Sequence, residues 1–177
     1  MINKQTLRTT LRLARDRAGE AELPVPDAFI ARLVRAATVA SYRPIGSEAD
    51  PSPLERAAIR AGCALALPHV VDRARPLRFL AWSPGATLVA GPFGLSQPPE
   101  SAEQVDPDII LTPLVGFDRR GNRLGQGAGY YDRAFLRHPQ AWRVGVARAV
   151  QEVETLPIDA WDVPLHAIVT EREWITP

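Results

Sequence analysis

In "NKQTLRTTLRLARDRA" (residues 3–18) the apolar side chains return at helical spacing. Leu7, Leu11 and Ala14 share a face, and Asn3 or a neighbour stands where the first free amides need a cap, so the pattern predicts a helix. A second helix is predicted near residues 26–37. "SPLERAAIRAGCALAL" (residues 52–67) predicts a third: Ser52 at the N-cap, Pro53 at N1 and Glu55 at N3 form a capping box, and Pro68 stops the helix. Shorter apolar runs read as strands: "ATVASYR", "LRFLAW", "TLVAG", "DIILTPLVGF", "WRVGVARAV" and "LHAIVT", with a further helical stretch starting near Tyr130. Strongly apolar strands alternating with helices predict an α/β fold, a single-domain three-layer sandwich with a mostly parallel central sheet and helices on both faces, Rossmann-like.

With 177 residues, 46% of them apolar, the chain can bury one substantial core, and a single domain over residues 1–177 is expected. Its 21 basic and 20 acidic residues leave a net charge of +1, which gives no reason to expect a nucleic acid or a membrane surface as partner. No obligate protein partner is evident. Cys63 is the one cysteine, so no internal disulfide forms, and three histidines without close spacing offer no zinc signature. No secretory apolar region follows Met1 and charged or polar residues interrupt every apolar run, so the expected location is the cytoplasm.

Candidate chemistry is concentrated in two places. Lys4 and Arg8, spaced i,i+4, point the same way from the first turns of a helix, where the dipole offers cations no partner. They form either an anion site or a solvated basic face. In "NRLGQGAGYYDRAF" (residues 122–135), Gly125, Gly127 and Gly129 alternate between a strand and a helix. Glycines there permit positive φ and close approach of backbone amides to a phosphate, although the spacing is neither that of a P-loop nor GxGxxG. The loop is either a structural turn or a phosphate cradle. Asp132 beside it, and Asp162 in "IDAWDVP", are carboxylates suited to Mg²⁺ or to turns and caps, and Arg123 clamps a phosphate or salt-bridges at the surface.

Several blocks together resemble the 5-formyltetrahydrofolate cyclo-ligase, or methenyltetrahydrofolate synthetase, family. The most specific is "PDIILTPLVGFDRRGNRLGQGAGYYDR"; "YRPIGSE", "LPHV", "LAWSPG", "GPFGLSQP", "RVGVARAVQ" and "WDVPLHAIVTE" fall in order around it. The resemblance implies ATP- and Mg²⁺-dependent conversion of 5-formyltetrahydrofolate to 5,10-methenyltetrahydrofolate, through phosphorylation of the formyl oxygen and attack by N10. It implies that Lys4 and Arg8 bind ATP together with the loop Arg123, Leu124, Gly125, Gln126, Gly127, Ala128, Gly129, Tyr130 and Tyr131. Arg43 and Glu48 then contact folate, with Gln126, Gly127, Ala128, Gly129 and Tyr130 also meeting that substrate. Asp132 and Asp162 fall at the metal positions, and Arg123, Tyr130 and Asp132 stand as the catalytic group. Phe93 and Trp82 offer apolar cover for the ring or pack in the core. The chain departs from the family's common residues at Gln97, Ala128, His69, Trp161 and His166. A folate- or nucleotide-binding relative without turnover, and an unrelated α/β phosphotransferase, are the alternative readings.

Overall fold

A computed structural model describes residues 3–34 and 37–177. Helix α1 (Lys4–Arg17) starts where the Asn3 side chain accepts a hydrogen bond from the Thr6 amide at 2.8 Å. Its apolar stripe packs through Leu7 and Leu11 against Val115, Leu124 and Leu156. Helix α2 is only Asp27–Ile30, shorter than the predicted 26–37; Leu33 and Val34 lie beyond it, and residues 35–36 lie outside the described residues.

Strand β1 (Thr38–Ala40) leads to α3 (Ser52–Arg60), and here the sequence pattern misleads twice. The N-cap is Pro51, not Ser52; Asp50 accepts from the Ser52 amide at 3.0 Å, and no capping box forms. The helix also stops well before Pro68. Gly62 takes φ +80°, its amide bonds the Ile59 carbonyl and the Cys63 amide bonds the Ala58 carbonyl. This is a Schellman termination, which glycine adopts without a Cβ penalty. The Ala-Leu-Ala-Leu run that follows is strand β2 (Ala64–His69), which contains Pro68.

Strands β3 (Arg78–Trp82), β4 (Val89–Ala90) and β5 (Ser96–Gln97) follow, the last two forming a separate ribbon. The predicted run "DIILTPLVGF" divides into β6 (Ile109–Pro113) and β7 (Gly116–Phe117), which turns into a hairpin with β8 (Arg123–Leu124). Helix α4 (Tyr130–Arg137), β9 (Trp142–Val146), a 3-10 turn at Ala149–Gln151, β10 (Ala167–Val169) and β11 (Trp174–Ile175) complete the chain.

The main sheet has the order β11-β10-β9-β6-β1-β2-β3. Its five central strands run parallel, and β3 and β11 close the edges antiparallel. Strand alternation sorts the core into two layers. Ala40, Ala66, Ile110 and Ile168 face Ala134 and Phe135 of α4, while their neighbours Val39, Leu65, Ile109 and Val169 face Phe29 of α2 and Leu54, Ala57 and Ala58 of α3. The result is the expected three-layer, Rossmann-like arrangement. From β1 the chain crosses outward through α3 to β2, whereas from β6 it crosses the other way through α4 to β9. Order therefore reverses between β1 and β6, and ligands of open α/β sheets bind beyond the carboxyl ends of such strands.

Candidate active site

A cleft of about 780 Å³ opens at that reversal, lined by Tyr42, Arg43 and residues 45–48 beyond the end of β1 and by Pro113 at the end of β6. The loop from β8 to α4 and the exposed face of α1 form further wall, together with Phe93, Leu95, Ser96 and the Trp161–Asp162 segment.

Helix α1 delivers a cationic stripe. Lys4, Arg8 and Arg12, each four residues apart, all line the cleft. Lys4 donates to Asp159 at 2.6 Å and to Asp162 at 2.7 Å, and Arg8 Nε donates to the Gly125 carbonyl at 2.9 Å. Arg12 donates to the Gln126 side-chain oxygen. Gln126 in turn donates from Nε2 to Glu48 at 3.2 Å, while the other Glu48 oxygen accepts the Ile45 amide at 3.0 Å. Burial pushes the Glu48 carboxyl above its ordinary range, and the Ile45 amide, Arg15 and Gln126 only partly offset it.

The glycine loop turns through left-handed geometry twice, at Gly127 (φ +106°) and at Gly129 (φ +66°), the N-cap of α4. Leu124 is buried at its entry, and the Ala128 carbonyl accepts from Arg133 at 2.9 Å. Arg123 lies 2.7 Å from the Asp132 carboxylate with its side chain only 5% exposed, sealed beneath Tyr131 and Phe135. The contact is an ion pair by distance but is poorly aligned, so Nε and Nη2 of Arg123 have no well-directed acceptor among the described residues. Asp132 also accepts the Val163 amide at 3.3 Å, which brings it next to the Asp162 segment. Tyr130 donates its hydroxyl to the Asp72 carbonyl at 2.9 Å, and burial, then Glu48, pushes the Tyr131 phenol up.

The structure thus gathers Lys4, Arg8, Arg43, Glu48, the 123–131 loop, Asp132 and Asp162 around one cavity. Phe93 also lines it, half-exposed and held at φ +60°, whereas Trp82 is partly buried against the core beneath Arg43. Gln97 is buried and used structurally, exchanging two hydrogen bonds with the Val70 backbone at 2.9 and 3.1 Å. Two site residues escaped the sequence reading. Arg12 continues the Lys4–Arg8 spacing and was visible as such; Asp159 carries no signal beyond standing three residues before Asp162.

Among the described residues no three potential metal ligands converge. Asp132 and Asp162 fit Mg²⁺ in its usual protein role, in which one or two carboxylates serve and phosphate oxygens and water complete the shell. Each carboxylate is now neutralised by a cation that phosphate would also attract, Arg123 and Lys4 respectively.

The Lys4–Asp162 pair has a defined pH signature. Burial alone would lower Lys4, but its hydrogen bonds to Asp159 and Asp162 outweigh this and hold it above its ordinary 10.5. Burial alone would raise Asp162, but the Lys4 hydrogen bond and the Asp159 amide bring it below its ordinary 3.8. Asp162 therefore contributes stability above pH 3.8 that is lost as pH falls through its lowered value. Lys4 contributes stability below pH 10.5 that is lost only as pH climbs past its raised value. Lys4→Met is expected to lower the thermal midpoint near neutrality and to flatten the acid limb of the Tm–pH curve. Wild-type and variant curves that stay parallel through that limb would refute the assignment.

The sequence profile of the 5-formyltetrahydrofolate cyclo-ligase family matches residues 1–171, a span that includes every residue of the site. The 5-formyltetrahydrofolate cyclo-ligase of Escherichia coli K12 is 39% identical over 152 residues, covering 80% of this chain and 84% of the relative. The solved structure of 5,10-methenyltetrahydrofolate synthetase from Aquifex aeolicus superposes with a TM-score of 0.75 at 32% identity, over 99% of this chain and 93% of that one. The Mycoplasma pneumoniae synthetase superposes with a TM-score of 0.72 at 25% identity, over 96% and 99% of the two chains.

Proposed function

Because the chain belongs to the 5-formyltetrahydrofolate cyclo-ligase family, we propose that it closes 5-formyltetrahydrofolate to 5,10-methenyltetrahydrofolate, converting ATP to ADP and phosphate. The observation that carries this reading is the meeting, in one cleft, of a cation-walled glycine loop with a half-buried carboxylate, Glu48. Lys4, Arg8 and Arg123 suit a triphosphate, and Glu48 suits the amino and ring N–H groups of a pterin.

A formamide oxygen leaves poorly, so the reaction needs it activated. The formyl oxygen attacks the γ-phosphorus, the bond to the β-phosphate oxygen breaks and ADP departs. N10 then adds to the electrophilic formyl carbon and loses its proton. Expulsion of phosphate, driven by the N5 lone pair, leaves the methenyl cation. No protein nucleophile is involved, so the chain's work is alignment and charge stabilisation. Arg123, fixed under two aromatic rings in the cleft wall, sets its positive charge toward the transferring group, while its Nε and Nη2 are buried on the Asp132 side. Lys4 and Arg8 hold the remaining phosphate charge, and Gln126 joins the nucleotide loop to Glu48 on the folate side. Mg²⁺ held by Asp132 and Asp162 would neutralise phosphate charge.

The test is to mix the protein with 5-formyltetrahydrofolate, ATP and MgCl₂ and follow methenyl-folate absorbance. Product is expected to form and to fall on the order of 100-fold under thorough chelation. Undiminished turnover under chelation would reject the metal assignment, and binding of both ligands without product would identify a non-catalytic binding protein.

A further inference from the structure

Arg43 reaches the cleft wall in the grip of two residues to which the reaction above assigns no part. Its guanidinium forms an ion pair with Glu55 of α3 and lies 4.6 Å above the Trp82 ring. Glu55 is 5% exposed, and its carboxylate leaves the helix start, where a capping role was expected, to reach Arg43. A guanidinium is a planar fork: pairing one edge and stacking one face fixes the orientation of the whole group. Nη2 goes to Glu55, and among the described residues Nε is buried without an acceptor while Nη1 has no hydrogen-bond partner and is not buried in this way. The free end of the fork is therefore a preset donor at the cleft. Five residues on, Glu48 provides acceptors at the same wall. A donor and acceptors lining one cleft suit the edge of an aminopyrimidinone ring, which shows a carbonyl oxygen next to N–H groups.

We propose that Glu55 is a positioning residue for substrate recognition: with Trp82 it holds Arg43 so that the guanidinium donates to the carbonyl oxygen of the substrate's pterin ring. This rests on the folate-cyclising reading above. Without Glu55, Arg43 would lie partly buried with no counter-ion beside it and would leave the Trp82 face for another carboxylate or for solvent.

A double-mutant cycle tests the proposal. Glu55→Ala is expected to raise KM for 5-formyltetrahydrofolate about 10- to 100-fold, the range for one lost charged hydrogen bond, with KM for ATP within about twofold. In an Arg43→Ala background the same substitution should add less than about twofold. Glu55→Gln, which keeps the volume and one acceptor, should fall between and carries the cycle if the alanine variant does not fold. Equal rises in both KM values, or a full Glu55 effect in the absence of Arg43, would overturn the positioning role while leaving the cyclising reading intact. A wild-type protein that binds no 5-formyltetrahydrofolate would overturn both.

Discussion

Gly127→Val is expected to reduce turnover on the order of 100-fold or more while shifting the thermal midpoint little. At φ +106° the residue occupies backbone space that L side chains rarely enter, and a β-branched one least of all. A Cβ there would stand 3.5 Å from the Arg8 guanidinium carbon, an ordinary contact, but the two further methyls of valine have no comparable allowance. To relieve the strain the loop must rotate a peptide, which moves the amides that would face phosphate and the Gly125 carbonyl that anchors Arg8. The position is exposed and remote from both core layers, so the fold does not depend on it. Gly127→Ala keeps the φ strain without the methyl clash and should lie between. Nucleotide affinity, turnover and unfolding of the variants, measured together, check this; near-normal binding and turnover in the valine variant would reject the phosphate-cradle role.

Arg123→Gln is expected to lower kcat about 10²- to 10³-fold, with a smaller change in the affinity for ATP. A cation that meets charge only as the phosphoryl group transfers acts on the transition state more than on the bound nucleotide. The surroundings of Arg123 suit that proposed role. Its charge is held by packing under Phe135 and Tyr131 at 5.2 and 5.9 Å, and by a misaligned pair with Asp132 that leaves two donors undirected. Glutamine retains part of the packing and a donor for Asp132, so the loss of positive charge is isolated better than with alanine. Rapid-quench measurement of the phosphoryl-transfer step, beside calorimetric ATP binding, separates the two effects. Equal losses in binding and in kcat/KM would make Arg123 a ground-state phosphate ligand only.

The parts of this fold that follow local rules were legible from the chain. Asn3 caps α1 by its own side chain, and the alternation in β1, β6 and β10 places neighbouring residues in opposite core layers. Strand β2 was not legible, because alanine and leucine are good helix formers and only tertiary pairing with β1 and β3 makes Ala64–His69 extended. Gly62 was the missed signal, a glycine standing where a helix could end. The split between β6 and β7 also lay beyond sequence patterning, since Leu114 and Val115 stay buried after leaving the sheet. Within the site, resemblance brought together residues that spacing could not, such as Lys4 with Asp162, which lie 158 positions apart. Asp159 and Glu55 remained hidden because their contacts are with partners distant in sequence, and Glu55 also satisfied a local capping pattern that the backbone declines.

The central claim is that the formyl oxygen is phosphorylated and leaves as phosphate. It is tested most directly by supplying 5-formyltetrahydrofolate with an ¹⁸O-labelled formyl group, together with ATP and MgCl₂, and analysing the products by mass spectrometry. The account predicts one methenyl product per ADP formed, with one ¹⁸O atom in each released inorganic phosphate. Methenyl product whose label appears in water, with none in phosphate, would contradict it.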